Sequence, residues 1–116
     1  MAKVETITLV RPIEVFNKQV KELRLKEPTG AQYIKIGEPR IVVRTAAGGG
    51  YYVEQTEEIK AYLDVCVDHE LQSEILSLLS LTDAMEVKKT LLNFFESAEA
   101  TRIARRLTNS SSGSGS

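Results

Sequence analysis

TITLVRPIEVFNKQVKELRLK, residues 6–26, decides how the chain begins to fold. Thr6–Val15 and Val20–Lys26 are rich in β-branched and aliphatic residues and show partial alternation, the pattern of half-buried strands. The polar stretch Asn17-Lys18-Gln19 lies between them, and Asn17 tolerates the positive φ that a tight turn often requires. The segment therefore predicts an antiparallel hairpin. Pro12 has no N–H to give to a ladder, so the first strand is expected to run along a sheet edge or to bend there. Pro28 and Gly30 end the hairpin.

Working outward, Ala31–Ile36 predicts one helical turn stopped by Gly37 and Pro39. Arg40–Thr45 (RIVVRT) and Tyr51–Val53 predict a second, shorter hairpin that turns at Gly48-Gly49-Gly50. From Glu54 onward the apolar spacing changes from two to 3.6. Ile59, Tyr62, Leu63, Cys66 and Val67 share one helical face, with Thr56 as N-cap. Asp68 is placed to cap a second helix carrying Leu71, Ile75, Leu78 and Leu79. A third starts at Leu81-Thr82-Asp83, where Asp83 and Glu86 resemble a capping box. Val87, Leu91, Phe94 and Phe95 form its apolar stripe, which extends through Ile103 to Leu107. The expected fold class is α+β, with N-terminal β-hairpins followed by a C-terminal three-helix region. Residues 1–53 and 54–108 are two regions of a single domain, and 109–116 a flexible Gly/Ser tail.

A chain of 116 residues holds one ordinary domain. Its apolar fraction of 42% and charged fraction of 27% fit a soluble globular protein and exclude disordered or fibrous classes. The formal net charge of -1 argues against nucleic acid as the main partner, since phosphate binding by charge needs a basic excess. The one dense basic cluster is Arg102, Arg105 and Arg106. No window reaches the ~20 apolar residues of a membrane span, and the N-terminus lacks the apolar run of a signal peptide. The single cysteine excludes an internal disulfide. A cytosolic protein with no membrane role is expected.

The residues that carry chemistry do not form a constellation. His69, the only histidine, has neither a nucleophile with an orienting acid nor further metal ligands at suitable spacing, and reads as an exposed residue at a helix start. Cys66 lies on an apolar helix face between Asp64 and Asp68, surroundings that suit a small buried hydrophobe better than a reactive thiol. Gly48-Gly49-Gly50 lacks the following helix and the Lys or Ser/Thr of a phosphate loop, so a hairpin turn is expected. Glu54, Glu57 and Glu58 suit the first turn of a helix, facing its dipole. No catalytic residue, metal site or cofactor is assigned, and the chain is not read as an enzyme. Phe94 and Phe95 project about 100° apart on a helix, so both enter a core only if the buried face is wide. Leu91, Leu92, Phe94 and Phe95 are therefore the candidate partner-binding residues.

In order along the chain, ITLVRPIEVFNKQVKELRLKEPTGAQYIKIGEP (7–39), VEQTEEIKAYL (53–63) and LLSLTDAMEVKKTLLNFF (78–95) resemble the phage tail assembly chaperones called protein E, found in Mu-like and related contractile-tailed phages. In that family a hairpin ends in a motif like L-R-E-P-T, here Leu25-Lys26-Glu27-Pro28-Thr29. An L-[ST]-x-x-D-A-like run then leads into an aromatic-ended helix. Asn17-Lys18 stands where a glycine is expected in the turn. The resemblance implies a chaperone that coats the tape-measure protein, keeps it soluble and helps recruit tail-tube subunits. It also implies action in the host bacterial cytoplasm, from a phage or prophage gene, and absence from the mature virion. A frameshifted longer form of the chain and further copies of it are the other implied partners.

Two other readings of the same residues remain open. A small interaction adaptor, regulatory or antitoxin-like, would share the α+β layout. A nucleic-acid module would rely on Arg102, Arg105 and Arg106, against the near-neutral charge.

Overall fold

The structure, a computed structural model, describes residues 3–114, apart from the side chains of Ser73 and of residues 109–114. Strand β1 (Val4–Val15) and strand β2 (Lys18–Lys26) form the expected antiparallel hairpin. The turn is tighter than expected. Val15 pairs with Lys18, leaving only Phe16 and Asn17 at the tip. Both have positive φ, 50° and 62°. That is the primed turn whose twist matches a hairpin. Asn17 adopts it readily and Phe16 does so against its Cβ sterics. The second strand thus begins at Lys18 rather than Val20.

Pro12 behaves as its chemistry requires. The ladder runs in register to Thr8↔Glu22 and resumes at Ile13↔Val20, so β1 spends Leu9–Pro12 where β2 spends only Lys21. The missing N–H of Pro12 falls inside this interruption. β1 is an edge strand of the sheet β1-β2-β5. Strand β5, Val67–Asp68, pairs with β2 through Leu25↔Val67 and Arg24↔Asp68. It lies where the sequence predicts the end of one helix at Val67 and the cap of a second at Asp68; joining the open edge of β2 instead satisfies backbone groups that a helix cap would leave to side chains.

Helix α1 (Gly30–Ile36) is opened by a full capping box: the Thr29 hydroxyl accepts from the Gln32 amide and the Gln32 side chain accepts from the Thr29 amide. Gly37 ends it at φ 98°, a conformation that needs glycine. Strands β3 (Arg40–Arg44) and β4 (Gly50–Glu54) make the second hairpin, in register from Arg40↔Glu54 to Arg44↔Gly50.

Helix α2 (Thr56–Cys66) takes Gln55 as N-cap, not Thr56, and no side-chain cap bond forms. In place of the expected second helix from Asp68 comes a 3-10 helix, Gln72–Leu78. Helix α3 (Leu81–Ser114) begins one residue after its true cap, Ser80. The Ser80 hydroxyl accepts from the Asp83 amide, so Asp83 is the third helical residue and not the start of a box with Glu86. The helix also continues through residues 109–114, where the composition predicts coil; once a helix is established, each further residue adds one bond for the residue it fixes. The last two residues of the expected tail lie outside the described residues. The α+β class, hairpins first and helices after, stands.

One cluster forms the core: Ile7, Leu9, Ile13 and Val15 of β1, Leu23 and Leu25 of β2, Ile59, Tyr62 and Cys66 of α2, Val67, Ile75, and Val87, Leu91, Leu92 and Phe94 of α3. It lies between one face of the β1–β2 sheet and the two longer helices.

Candidate functional site

The second hairpin and the later part of α3 contribute almost nothing to that core. β4 is exposed along its whole length, and from Glu96 to Thr108 every side chain of α3 is exposed. A two-stranded ribbon has two faces and can press only one against its own chain. Here Ile41, Val42, Tyr51, Tyr52 and Val53 all remain exposed.

The base of this hairpin is nevertheless fixed. Arg40 and Glu54 are register partners, and both reach α3. Arg40 Nη2 lies 2.9 Å from Glu96 Oε1, and Lys88 Nζ lies 2.7 Å from Glu54 Oε1. The Arg40 guanidinium also stacks 4.3 Å from the centre of the Tyr52 ring. Behind it, the Gln55 amide donates to the Pro39 carbonyl and the Gln55 side chain to the Glu38 carbonyl, at 2.8 and 2.9 Å.

Between α1, the hairpin and α3 this leaves a groove of about 1020 Å³. Tyr33, Ile41, Val42, Tyr52, Phe95 and Ile103 supply its apolar surface, and Glu38, Arg40, Glu99 and Arg102 supply charge. Tyr33 is oriented by a hydrogen bond from its hydroxyl to the Glu38 carboxylate, which raises its pKa. Below it, Tyr62 is fully buried and donates to the Gly37 carbonyl at 2.5 Å; burial pushes its pKa up to about 12. Phe95 packs edge-on against Tyr62, centroids 4.8 Å apart, and tilted against Tyr33 at 6.3 Å. The aromatic floor of the groove is therefore braced from the core.

A smaller hollow of about 540 Å³ runs between β1 and the first half of α3. Asp83 lies at its edge and is 1% exposed. Its carboxylate accepts from the amides of Val10 and Arg11, at 2.8 and 3.1 Å, and from Ser80 Oγ at 3.0 Å. Burial alone would raise its pKa. The bonds from Val10, Arg11 and Ser80, with the charge of Arg11, outweigh that and lower it. Asp83 thus fills the break in the β1 ladder and performs no chemistry there.

Of the four candidate partner residues, Leu91, Leu92 and Phe94 are buried in the core. Both rings of the Phe94-Phe95 pair find cover because α3 is flanked by the sheet on one side and α2 on the other. Phe95, half-buried, reaches the groove, and Phe94 lines it only with its small exposed edge. His69 is half-buried, not exposed, and its Nδ1 accepts from the Leu71 amide at 3.0 Å. Cys66 is buried as expected. The glycine run forms the hairpin turn, where the Gly48 amide donates to the Thr45 carbonyl. Among the described residues no three or more His, Cys, Asp or Glu cluster as metal ligands, and no helix is long and apolar enough to cross a membrane.

Tyr33, Tyr52, Arg40 and Ile103 were not singled out from the sequence. The signal for the hairpin residues was present: apolar side chains on both faces of one short ribbon cannot all be buried. No protein-family model, curated protein or solved structure matches the chain.

Proposed function

We propose that the chain is a phage tail assembly chaperone that binds and solubilises the tape-measure protein and helps recruit tail-tube subunits. In this reading it acts in the host cytoplasm and is absent from the mature virion. The observation that supports the reading most is the apolar groove between the β3–β4 hairpin and α3, added to the resemblance along residues 7–95. Helix-in-groove recognition uses such a surface, with apolar anchors every turn and charged rims that set register. A helix about 10 Å across fills the volume over about two turns. One copy then covers only a short stretch of a long helical partner, and a coat needs many copies, each held weakly.

Co-expression with the tape-measure protein encoded in the same gene cluster tests the proposal. A soluble complex is expected on size exclusion, with the partner insoluble alone. Tyr52→Asp, at an exposed groove position, is expected to abolish co-elution while leaving the circular dichroism unchanged. If the wild-type chain elutes alone and the partner still precipitates, the reading is wrong. If Tyr52→Asp binds as well as wild type, the groove is not the binding surface.

A further inference from the structure

α3 has 34 residues and leaves the body of the protein after Phe95. Beyond that point its side chains through Thr108 meet no core, and the molecule measures 63 Å along its longest axis. Helices without tertiary packing are marginal in water at this length, and Ser97, Thr101 and Thr108 are weak formers. Ala100, Ile103, Ala104 and Leu107, spaced three, one and three apart, nevertheless share one face of the projecting segment. Ile103 and Leu107 are 46% and 65% exposed. At about 100° per residue this stripe is turned more than about 100° away from Phe95, Ala98 and Arg102, which face the groove. Ala100 and Ile103, with Glu99 on the flank, border both surfaces, whereas Ala104 and Leu107 belong to the stripe alone.

The charges beside the stripe say what covers it. Glu99 and Arg106 are two turns apart and lie on the same flank. When two such helices run antiparallel about an axis beside Ile103, close to the midpoint of 99 and 106, Glu99 of each faces Arg106 of the other. In a parallel pair Glu99 would face Ala104 and nothing would match. We infer that the outer part of α3 pairs antiparallel with the same segment of a second copy of this chain, through Ala100, Ile103, Ala104 and Leu107, with Glu99 and Arg106 exchanged across the pair. Glu99 now bonds Arg102 of its own chain, both exposed, and giving up such a pair costs little. The seam is isologous and short, below the ~1,200 Å² of stable complexes, so the pair is weak and reversible. It does not depend on the proposed function, although copies coating one partner would raise its local concentration.

Sedimentation velocity from micromolar to millimolar concentration tests this on the full chain. A concentration-dependent monomer–dimer equilibrium is expected. Leu107→Glu, outside the groove, is expected to raise the dissociation constant at least about tenfold without changing the fold by circular dichroism. Glu99→Arg and Arg106→Glu are each expected to weaken the pair, and the two together to restore it. Under oxidation Ala104→Cys should give a disulfide-linked dimer, and Thr101→Cys, on another face, should not. Cys66 is buried and does not compete. A chain monomeric throughout the range overturns the inference. So does a double charge exchange that fails to recover association, or equal cross-linking at the two cysteine positions.

Discussion

Asp83→Ala is the substitution with the largest effect expected outside the apolar core. The carboxylate is the acceptor for two consecutive backbone amides, Val10 and Arg11, in the stretch of β1 that has no partner on β2. Each amide left without an acceptor costs about 1–3 kcal/mol, and bonds to a charged acceptor fall in the upper part of that range. Two of them give about 3–5 kcal/mol. The helix start suffers as well, because the Ser80 hydroxyl loses the carboxylate it donates to. In a domain of this size that is a fall of about 10–20 °C in Tm. Asp83→Asn retains one acceptor oxygen and turns an amide NH2 toward the other N–H, so about half the loss is expected. Urea unfolding followed by circular dichroism measures both, and hydrogen exchange at Val10 and Arg11 should accelerate before any other part of β1. The pH dependence has a definite sign. A carboxylate whose folded pKa is lowered contributes stability that is present above its unfolded value, about 3.9, and is lost as pH falls through the folded value. The gap between wild type and Asp83→Ala should therefore be constant near neutrality and close only below about pH 4. A loss under about 1 kcal/mol for Asp83→Ala, or a gap closing near pH 6, would refute the claim that this carboxylate holds the bulge.

Three further outcomes follow from the same interior. Gly37→Ala should cost about 1–3 kcal/mol in urea midpoint, because φ 98° and ψ -164° suit only glycine; a new Cβ would meet nothing within 4 Å, so a loss below about 0.5 kcal/mol would show that the backbone relaxes instead. Tyr62→Phe keeps the ring against Phe95 but leaves the Gly37 carbonyl without its donor, and should cost about 1–2 kcal/mol by thermal unfolding; an unchanged Tm would mean water replaces the hydroxyl. The Cys66 thiol, pushed up to about 11 by burial, should react with an aromatic disulfide only as fast as the protein opens. Fast labelling of the native protein at pH 8 would contradict that burial.

Much of the architecture was legible because the hydrophobic period is strong. Ile7 and Leu9 in β1, and Leu23 and Leu25 in β2, alternate as strands do, and Ile59, Tyr62 and Cys66 repeat as one helix face. What stayed hidden depends on partners distant in sequence. Val67–Asp68 is too short to carry a period of its own, and becomes a strand only because Arg24 and Leu25 offer an open edge. Asp83 read as a surface cap because its true partners are some seventy residues away. Ser80-x-x-Asp83, with the ladder break that Pro12 announces, was the available clue. The candidate site divides for a related reason: Leu91 and Leu92 lie in the core, and Phe94 and Phe95 line the groove. Two adjacent phenylalanines suggested that one must face a partner. In α3, covered by the sheet and α2 together, Phe94 is buried and Phe95, half-buried against Tyr62, is the ring that reaches the groove.

The build of the groove would suit the transient partner of the proposed function. The β3–β4 hairpin is joined to α3 by two ion pairs, Arg40–Glu96 and Lys88–Glu54, whose α3 ends are eight residues, or about 12 Å, apart along the helix. They hold the ribbon at two points across its base, which fixes where it leaves the body. Their side chains are partly exposed, and such pairs contribute about 0–1 kcal/mol each. At the free end of the ribbon, from Val43 through the glycine turn to Tyr51, Val43 is half-buried and every other residue is exposed. One wall of the groove is thus held only at its base, whereas the floor, Phe95 on Tyr62, is braced from the core. On the proposed function, a partner side chain would displace the wall without disturbing the core, and the groove would take helices of differing bulk at similar cost. Under that proposal the latitude would suit a coat along a long protein whose successive segments differ in sequence, at the cost of the affinity that a preformed pocket would provide.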